Sequence, residues 1–313
     1  MRQINYAQAI AEAIQEEMDR DPHVIYMGEC VKGRYRGQCL EMPISEAGFT
    51  GIGVGAAIAG IRPIVEIMFL DLITVAMDPI VNQAAKIRYM FGGMASVPIV
   101  IRAPLGAYVS MSAHHSQSLE SWFSGIPGLK VVLPSTPYDA KGLMKSAIRD
   151  DNPVIFCDHK KLGGLTGQVP EEDYTVPIGK ACVIRPGKDA TIVAYAFMAH
   201  KSMEAAEQLK QHGIDVEVVD LRTTLPIDEE TILNSIAKTG RLVTVSEACA
   251  PCSVASEVSA IVMEKGFDFL KSPLKRIHAK FAPIPFAKDL EDNILPQTAD
   301  IVDAIKDMMD HRR

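Results

Sequence analysis

A single carboxylate at the start of a small-residue run is the first candidate for chemistry. Glu46 ends the segment Met42–Glu46 (MPISE) and precedes a run of mostly small residues from Ala47 to Gly60. A carboxylate placed there could move a proton on a bound organic group as a general acid or base. The plain alternative is a helix-start carboxylate that the positive end of the helix dipole favours. These residues alone leave both interpretations open.

A pair of adjacent histidines is the second candidate. His114 and His115 are followed by Ser116 and Gln117. Adjacent residues of a strand face opposite ways, whereas in a loop both rings are available for proton transfer. A metal site is disfavoured because no Cys, Asp or Glu cluster stands at ligand spacing, and no nucleophile elbow supports a hydrolase. The alternative is an ordinary hydrogen-bonded loop histidine.

Two further motifs carry weaker signals. Cys249 and Cys252 have the C-x-x-C spacing of redox motifs, but a single such pair also describes two ordinary thiols. Gly51, Gly53 and Gly55 follow the pattern G-x-G-x-G rather than G-x-G-x-x-G, and no apolar strand precedes them. We therefore expect these glycines to let a helix approach its neighbour closely, and not to bind a dinucleotide.

Composition limits the classes of function. The 313 residues carry a net charge of −7, which favours neither nucleic acid nor an anionic membrane as partner. No apolar run reaches the ~18 residues that a membrane span needs, and no leader-like segment opens the chain. The six scattered cysteines are expected to be reduced thiols. The sequence therefore predicts a cytoplasmic protein.

Apolar patterning predicts the elements that would position these residues. Short apolar strands alternate with helices in both halves of the chain, which is typical of mostly parallel sheets covered by helices on both faces. The predicted fold class is therefore α/β, with two domains. We place the first domain at residues 1–160, a linker at 161–188 and the second domain at 189–313. In the first domain we expect a strand over 63–68 and a helix over 75–90.

Several segments taken together resemble one protein family. They are Pro43–Glu46, Gly53–Ala57, Asn82–Lys86, His115–Gln117, Pro127–Val132, Asp139–Gly142, Asp220–Thr223 and Pro283–Phe286. Nearly the whole chain is similar to the β subunits of thiamine-diphosphate-dependent 2-oxo acid dehydrogenase E1 components. Segments 154–160 and 239–243 favour the acetoin dehydrogenase branch of that family. The resemblance implies a transketolase-like pyrimidine-binding domain followed by a transketolase C-terminal-like domain.

The same resemblance implies a catalytic pair and a shared cofactor. Thiamine diphosphate would lie between an α and a β subunit, with Glu46 hydrogen-bonded to the N1′ atom of its aminopyrimidine ring. His115 would transfer protons near the reacting atoms, and Met68 and Leu72 would contact the cofactor. The acyl group would pass to a lipoyl-bearing E2 acyltransferase, and the α and β subunits would form an α2β2 heterotetramer.

Two metal ions also follow from the resemblance. The chain contains no Gly-Asp-Gly sequence, so the α subunit would hold Mg²⁺ together with the diphosphate. A monovalent cation such as K⁺ would be held mostly by backbone carbonyls, at Ile99, Ala147, Ile148, Asp150 and Asn152.

The chain departs from the family pattern at three places. The segment 30–41 is short, Leu72 stands where an aromatic residue is usual, and Pro79 follows Asp78 where glutamine is usual. Loss of the aromatic ring removes ~0.5–1.5 kcal/mol of stacking. Proline inside a helix costs ~3 kcal/mol. We therefore expect Asp78 to be an N-cap with Pro79 at the first helical position, so that the helix begins later or kinks there.

The sequence leaves four functions open. The first is an E1 β subunit acting on acetoin or a similar small ketone. The second is a β subunit for pyruvate or a branched-chain 2-oxo acid, and the third is a two-subunit thiamine-dependent transferase that works without an E2. The fourth, from a different class, is a non-catalytic assembly subunit, against which the presence of both Glu46 and His115 argues.

Overall fold

The structure, a computed structural model, describes residues 1–310 in two compact units. The first unit combines residues 1–105 with 122–178, and the second combines residues 106–121 with the chain from 179 onward. The segment 106–121, which carries both histidines, therefore belongs to the second unit, whereas the predicted boundaries put it in the first domain. Residues 311–313, at the end of the predicted second domain, lie outside the described residues.

The first unit is built on a parallel sheet. Neighbouring strands in the order β6-β7-β5-β4-β2-β3 are all parallel, and β1 pairs antiparallel with β8 apart from them. Its elements are β1 (Arg2–Asn5), α1 (Tyr6–Arg20), β2 (Val24–Gly28), β3 (Cys39–Glu41), α2 (Glu46–Ile58), β4 (Arg62–Glu66), α3 (Ala85–Met90), β5 (Val100–Arg102), α4 (Glu120–Ser124, which begins in the second unit), β6 (Lys130–Val132), α5 (Pro137–Arg149), β7 (Val154–Phe156) and β8 (Thr166–Val169).

Helix α1 shows how local sequence sets an element. The side chain of Asn5 accepts from the backbone N–H of Gln8 at 2.8 Å, and the side chain of Gln8 accepts from the backbone N–H of Asn5 at 3.1 Å. This reciprocal capping box satisfies two donors at the helix start. Ile10, Ile14 and Met18 recur at helical spacing and are buried, so one apolar face of α1 packs into the unit.

One of the three alternating glycines provides the predicted close approach. A Cβ added at Gly53 would lie 2.7 Å from Cγ2 of Val65 and 3.2 Å from Cδ1 of Ile99, so α2 packs directly on β4 at this residue. Gly51 and Gly55 are exposed and have no such neighbour within 4 Å. The close-packing prediction therefore holds for Gly53 only.

The predicted helix over 75–90 is divided into three pieces. A 3₁₀ helix spans Leu70–Ala76, a π-helical segment spans Pro79–Ala84, and α3 follows. Asp78 has helical backbone angles, and its side chain accepts from Asn82 Nδ2 at 2.8 Å instead of capping a backbone N–H. The prediction that Asp78 is an N-cap is therefore wrong. Met77 and Asp78 are also helical, so the helix does not begin late at Pro79. The regular α-helical pattern is instead interrupted there by the π-helical segment, in which a proline ring can be accommodated.

The second unit is built on a mixed sheet in the order β14-β13-β10-β11-β9. All neighbours are parallel except β9, which runs antiparallel to β11. Its elements are β9 (Cys182–Arg185), β10 (Ala190–Ala194), α6 (Phe197–Gln211), β11 (Val216–Asp220), β12 (Thr223–Leu225), α7 (Glu229–Thr239), β13 (Leu242–Cys249), α8 (Val254–Lys265), β14 (Lys275–Ala279), α9 (Lys288–Ile294) and α10 (Thr298–Asp310). The predicted α/β class with mostly parallel sheets is confirmed.

The structure also defines the ends of helix α7 and the content of the stretch predicted as a linker. Asp228 caps α7 by accepting from the backbone N–H of Thr231, and Gly240 ends that helix in the left-handed conformation at φ 76°. The stretch predicted as a linker, 161–188, contains strands β8 and β9. Within residues 1–310, no helix is both long and apolar enough to cross a membrane.

Candidate active site

The carboxyl ends of three neighbouring strands of the first unit bring candidate residues to one edge of the sheet. Glu29 directly follows β2, Met68 follows β4, and Glu46 opens the helix after β3. The strands lie in the order β3-β2-β4, so β3 and β4 lie on opposite sides of β2 and the order of strand addition reverses there. In open parallel sheets, ligands bind outside the carboxyl ends of the strands at such a reversal. The topology therefore supports a binding site beside Glu46.

Glu46 is a buried carboxylate without a hydrogen-bond partner. It is the first residue of α2 and is 8% exposed. Among residues 1–310 its side chain takes part in no hydrogen bond or ion pair. Its oxygens still reach the surface, because neither is among the enclosed polar atoms that lack a hydrogen-bond partner. Within residues 1–310, Glu46 is therefore a carboxylate that no other side chain engages.

A second acid, Glu29, faces the same place. Burial raises the pKa of the Glu29 carboxyl, and the negative charges of Glu46 and Glu41 raise it further. Sequence reasoning missed this residue. Its signal was its position directly after the apolar strand Val24–Gly28, where parallel sheets place functional residues.

Met68 and Leu72 offer apolar surface at this edge. Met68 is 45% exposed in the connection after β4, and Leu72 is half-buried in the 3₁₀ helix Leu70–Ala76. Their side chains are suited to contact a flat ring, although Leu72 provides no aromatic stacking. Their predicted role as cofactor contacts stays a prediction.

A buried ionic cluster lies behind the same strand ends. The guanidinium of Arg102 donates to Asp158 from Nε at 3.0 Å and from Nη2 at 2.8 Å, and it also pairs with Glu66. Tyr26 and Arg34 donate to Glu66 as well. Burial alone would raise the pKa of Glu66, but the charge of Arg102 and these donors hold it below its ordinary value. We call Arg102, Glu66 and Asp158 the Arg102 cluster; sequence reasoning did not identify it.

The short segment 30–41 is fixed in place despite its length. The carboxylate of Glu41 accepts from the backbone N–H groups of Cys30, Val31 and Lys32 at 2.9, 2.8 and 2.8 Å. These backbone donors lower the pKa of the Glu41 carboxyl, and the N–H of Lys32 has the largest effect. The ring of Tyr35 lies edge-on to Tyr26, with 4.7 Å between ring centroids. A short connection between the parallel strands β2 and β3 is thus held by its own contacts.

His115 lies in the second unit, on an irregular loop formed by residues 106–119. Its Nδ1 donates to the carbonyl oxygen of His114 at 2.6 Å, which leaves Nε2 as the basic nitrogen of the neutral ring. The ring of His114 is more exposed and stands edge-on to that of His115. Ser116 is 2% exposed, and its hydroxyl has no hydrogen-bond partner among the residues that the structure describes. The half-buried His115 is thus oriented by its own backbone.

Arg62 occupies part of the predicted monovalent-cation site. Its Nη1 donates to the backbone carbonyls of Ile148 and Asp150 at 3.0 and 3.1 Å. The carbonyl of Ile99 accepts from Val154 at 2.9 Å, and that of Ala147 accepts from Asp150 at 3.3 Å. A guanidinium therefore already supplies positive charge to two of the carbonyls. The cation site, including Asn152, stays a prediction in which an ion would share these carbonyls with Arg62.

The remaining cysteine motif shows no redox pairing. Cys249 and Cys252 are both free thiols; Cys249 is partly exposed and Cys252 is exposed. The thiol of Cys249 donates to the carbonyl oxygen of Lys280 at 3.5 Å. Among residues 1–310, no group of three or more His, Cys, Asp or Glu side chains is arranged to hold a metal ion.

Comparison with known proteins matches both units to domain families. The model of the transketolase pyrimidine-binding domain matches residues 2–164, and that of the transketolase C-terminal domain matches residues 179–301. A solved structure described as a split gene transketolase, inactive beta4 tetramer, has a TM-score of 0.81 and 23% identity, covering 99% of both chains. At that identity the likeness shows the fold alone.

Closer relatives share the whole length of the chain. The acetoin:2,6-dichlorophenolindophenol oxidoreductase subunit beta of Cupriavidus necator is 46% identical, with 98% of each chain covered. The protein of the same name from Bacillus subtilis is 42% identical with the same coverage. The pyruvate dehydrogenase E1 component subunit beta of Rhizobium meliloti is 45% identical over 98% of this chain and 70% of its own. This chain belongs to the family of acetoin and pyruvate dehydrogenase E1 β subunits, built from transketolase-type pyrimidine-binding and C-terminal domains.

Proposed function

We propose that this chain is the β subunit of a thiamine-diphosphate-dependent E1 enzyme that cleaves acetoin, or a similar small ketone, and passes the acyl group to a lipoyl-bearing E2. The single observation that carries the proposal is the buried Glu46 carboxylate with no partner among residues 1–310. The 46% identity to an acetoin oxidoreductase β subunit supports the choice of substrate.

The residues at the sheet edge fit the pyrimidine half of that cofactor. Glu46 would hold a hydrogen bond to a ring nitrogen, and Met68 and Leu72 would offer apolar surface to the ring. When bound, thiamine diphosphate supplies a carbon nucleophile that attacks the substrate carbonyl. This chain contributes position and a proton site.

His115 would move protons where the acyl group forms and leaves. Its Nδ1 is engaged by the carbonyl of His114, so Nε2 is the nitrogen that would take up and return a proton. Cleavage of the carbon–carbon bond of acetoin gives acetaldehyde and a two-carbon unit. That unit leaves as an acetyl group on lipoyl, whose disulfide is reduced as the unit is oxidised.

A partner subunit completes the proposed enzyme. The relatives are named as β subunits, and we propose an α2β2 assembly in which the α subunit holds the diphosphate and Mg²⁺. Carboxylates and phosphate oxygens are the ligands that Mg²⁺ prefers. This division of labour accounts for the absence of Gly-Asp-Gly from the sequence.

A pyruvate dehydrogenase role is the second candidate. The observation that favours it is the 45% identity to pyruvate dehydrogenase β subunits from Rhizobium meliloti and Dictyostelium discoideum. The two candidates share the roles of Glu46 and His115 and differ only in the substrate.

A substrate comparison tests the proposal. The chain would be co-expressed with an α subunit that carries the Mg-diphosphate motif, and turnover would be measured with acetoin, pyruvate and branched-chain 2-oxo acids, using 2,6-dichlorophenolindophenol as electron acceptor. We expect acetoin to have the highest kcat/KM. A preference for pyruvate would favour the second candidate, and turnover by the β chain alone would contradict the two-subunit enzyme.

A further inference from the structure

A single buried carboxylate, Glu247, joins the two ends of the loop that carries His115. Glu247 lies near the end of β13, where the register with β14 shifts between Val245 and Cys249. Its Oε1 accepts from the backbone N–H of Ala107 at 2.5 Å and from Oγ of Ser118 at 3.2 Å. Such irregularities re-aim side chains within a strand. Here the carboxylate of Glu247 links Ala107 and Ser118, which lie near the two ends of the loop.

A second buried carboxylate, Glu291, binds the loop at Ser110. It lies in α9 and is 1% exposed. Both of its oxygens lie 3.2 Å from the backbone nitrogen of Ser110, and Oε2 also accepts from Oγ of Ser110 at 3.3 Å. Beside it, Tyr108 donates to the carbonyl oxygen of Pro296 at 2.7 Å. Contacts with Pro296 and Glu291 thus fix Tyr108 and Ser110 of the loop against other parts of the second unit.

The backbone between these attachments is strained. Tyr108, Ser110 and Ser112 have φ values of 63°, 56° and 68°, a left-handed conformation that non-glycine residues seldom adopt. Residues persist in such conformations only where surrounding contacts over-determine them, and they cluster at functional sites. Two of the three strained residues, Tyr108 and Ser110, are those held by Pro296 and Glu291. Without these contacts the loop would relax.

We propose that Glu247 and Glu291 are positioning residues that hold the loop 106–119 in the conformation in which His115 works. Neither carboxylate touches the reacting atoms in this account, so their effect passes through the loop. The proposal rests on the proton-transfer role proposed for His115. If the proposal is correct, the rate depends on these two carboxylates as well as on His115.

Paired substitutions in the full α/β complex test the proposal. Glu247→Ala and Glu291→Ala remove the acceptors, whereas Glu247→Gln keeps an acceptor oxygen of similar size. Glu217→Ala is the matched control, because Glu217 is another buried carboxylate of the second unit that accepts from a backbone N–H, that of Gly187 at 3.3 Å, and from Ser235 at 2.6 Å. Amide hydrogen exchange of peptides covering 106–119 and the separate values of kcat and KM are the measurements.

We expect exchange of the loop amides to rise by about tenfold or more in Glu247→Ala and Glu291→Ala, as local opening becomes easier. We expect kcat to fall on the order of 10²-fold with KM little changed, which is the scale for a misplaced catalytic group. Glu247→Gln should recover most of both, and Glu217→Ala should leave loop exchange as in the wild type.

Two results would overturn the proposal. One is loop exchange in Glu247→Ala and Glu291→Ala equal to that of the wild type, and the other is faster exchange with unchanged kcat. If the wild-type complex turns over none of the substrates, the proposed function fails instead. The exchange comparison then still decides whether the two carboxylates hold the loop, because it needs no substrate.

Discussion

Two buried carboxylates, Glu46 in the first unit and Glu247 in the second, differ in what surrounds them. Their exposed fractions are nearly equal, at 8% and 7%. Glu46 has no hydrogen-bond partner among residues 1–310, whereas Glu247 accepts from Ala107 and Ser118. The partners of Glu247 attach it to the loop 106–119, whereas the oxygens of Glu46 keep access to solvent. The difference teaches that burial alone does not separate the two carboxylates; the missing partner does, and the catalytic role proposed for Glu46 rests on it.

A substitution in the Arg102 cluster should have the largest effect on stability among the tests of this comparison. Arg102→Met would leave Asp158 buried without its ion-pair partner and would remove the main cation from Glu66, which keeps Tyr26 and Arg34 as donors. Removal of one member of a buried ion pair costs about 3–5 kcal/mol of unfolding free energy. Urea unfolding of the full chain would measure the loss.

Arg34→Met is the matched control for that substitution. Arg34 pairs with the same Glu66 carboxylate, but its side chain is 41% exposed, against 10% for Arg102. Exposed ion pairs contribute about 0–1 kcal/mol. Equal losses in the two variants would show that burial of the pair does not matter here, and the comparison would lose its basis.

The substitution Glu29→Gln tests the surroundings of Glu46, and its expected effect on stability is the smallest. Burial and the charges of Glu46 and Glu41 raise the pKa of Glu29 above the ordinary value of 4.5. The folded state therefore binds this proton more tightly than the unfolded state. The stability that results is present at low pH and is lost as the pH rises through the raised pKa.

Relative to Glu29→Gln, the wild type should therefore lose unfolding free energy between pH 4 and pH 7. We expect a change of a few tenths of a kcal/mol, since solvent screens a partly exposed group. Urea unfolding of both proteins at the two pH values would measure it. A difference of the opposite sign would show that Glu46 and Glu41 do not repel Glu29 in the folded chain.

Regular elements were predictable where one local signal dominated. The capping box at Asn5 and Gln8, the N-cap Asp228 and the stop at Gly240 act within a few residues, and the structure has helices at these places. The stretch 75–90 was not predictable as one helix, because Pro79 leads to a π-helical segment that periodicity does not describe. Strand β8 was missed because it is largely polar (TGQV) and pairs with β1 near the start of the sequence. Strand β9 was missed because it pairs antiparallel with β11 across a shift in register.

The candidate site was predictable only in part, for a similar reason. Glu46 and His115 stand in recognisable local sequences. Glu29, Arg102 and Glu247 interact with residues 12 to 140 positions away, namely Glu41, Asp158 and Ala107, and no short motif records these interactions. Parallel topology supplies the missing rule, since residues after strand ends meet at one edge. That rule would have identified Glu29 and Asp158 directly.

The turnover of acetoin by the Glu46→Gln variant, in complex with the α subunit, tests the central claim. Glutamine keeps the size of the side chain and removes its acidic proton, so we expect kcat to fall by about 10²–10⁴-fold. Because Glu46 has no partner among the residues that the structure describes, the unfolding free energy should not fall. Near-normal turnover by this variant would contradict the account that Glu46 is kept unpartnered for catalysis.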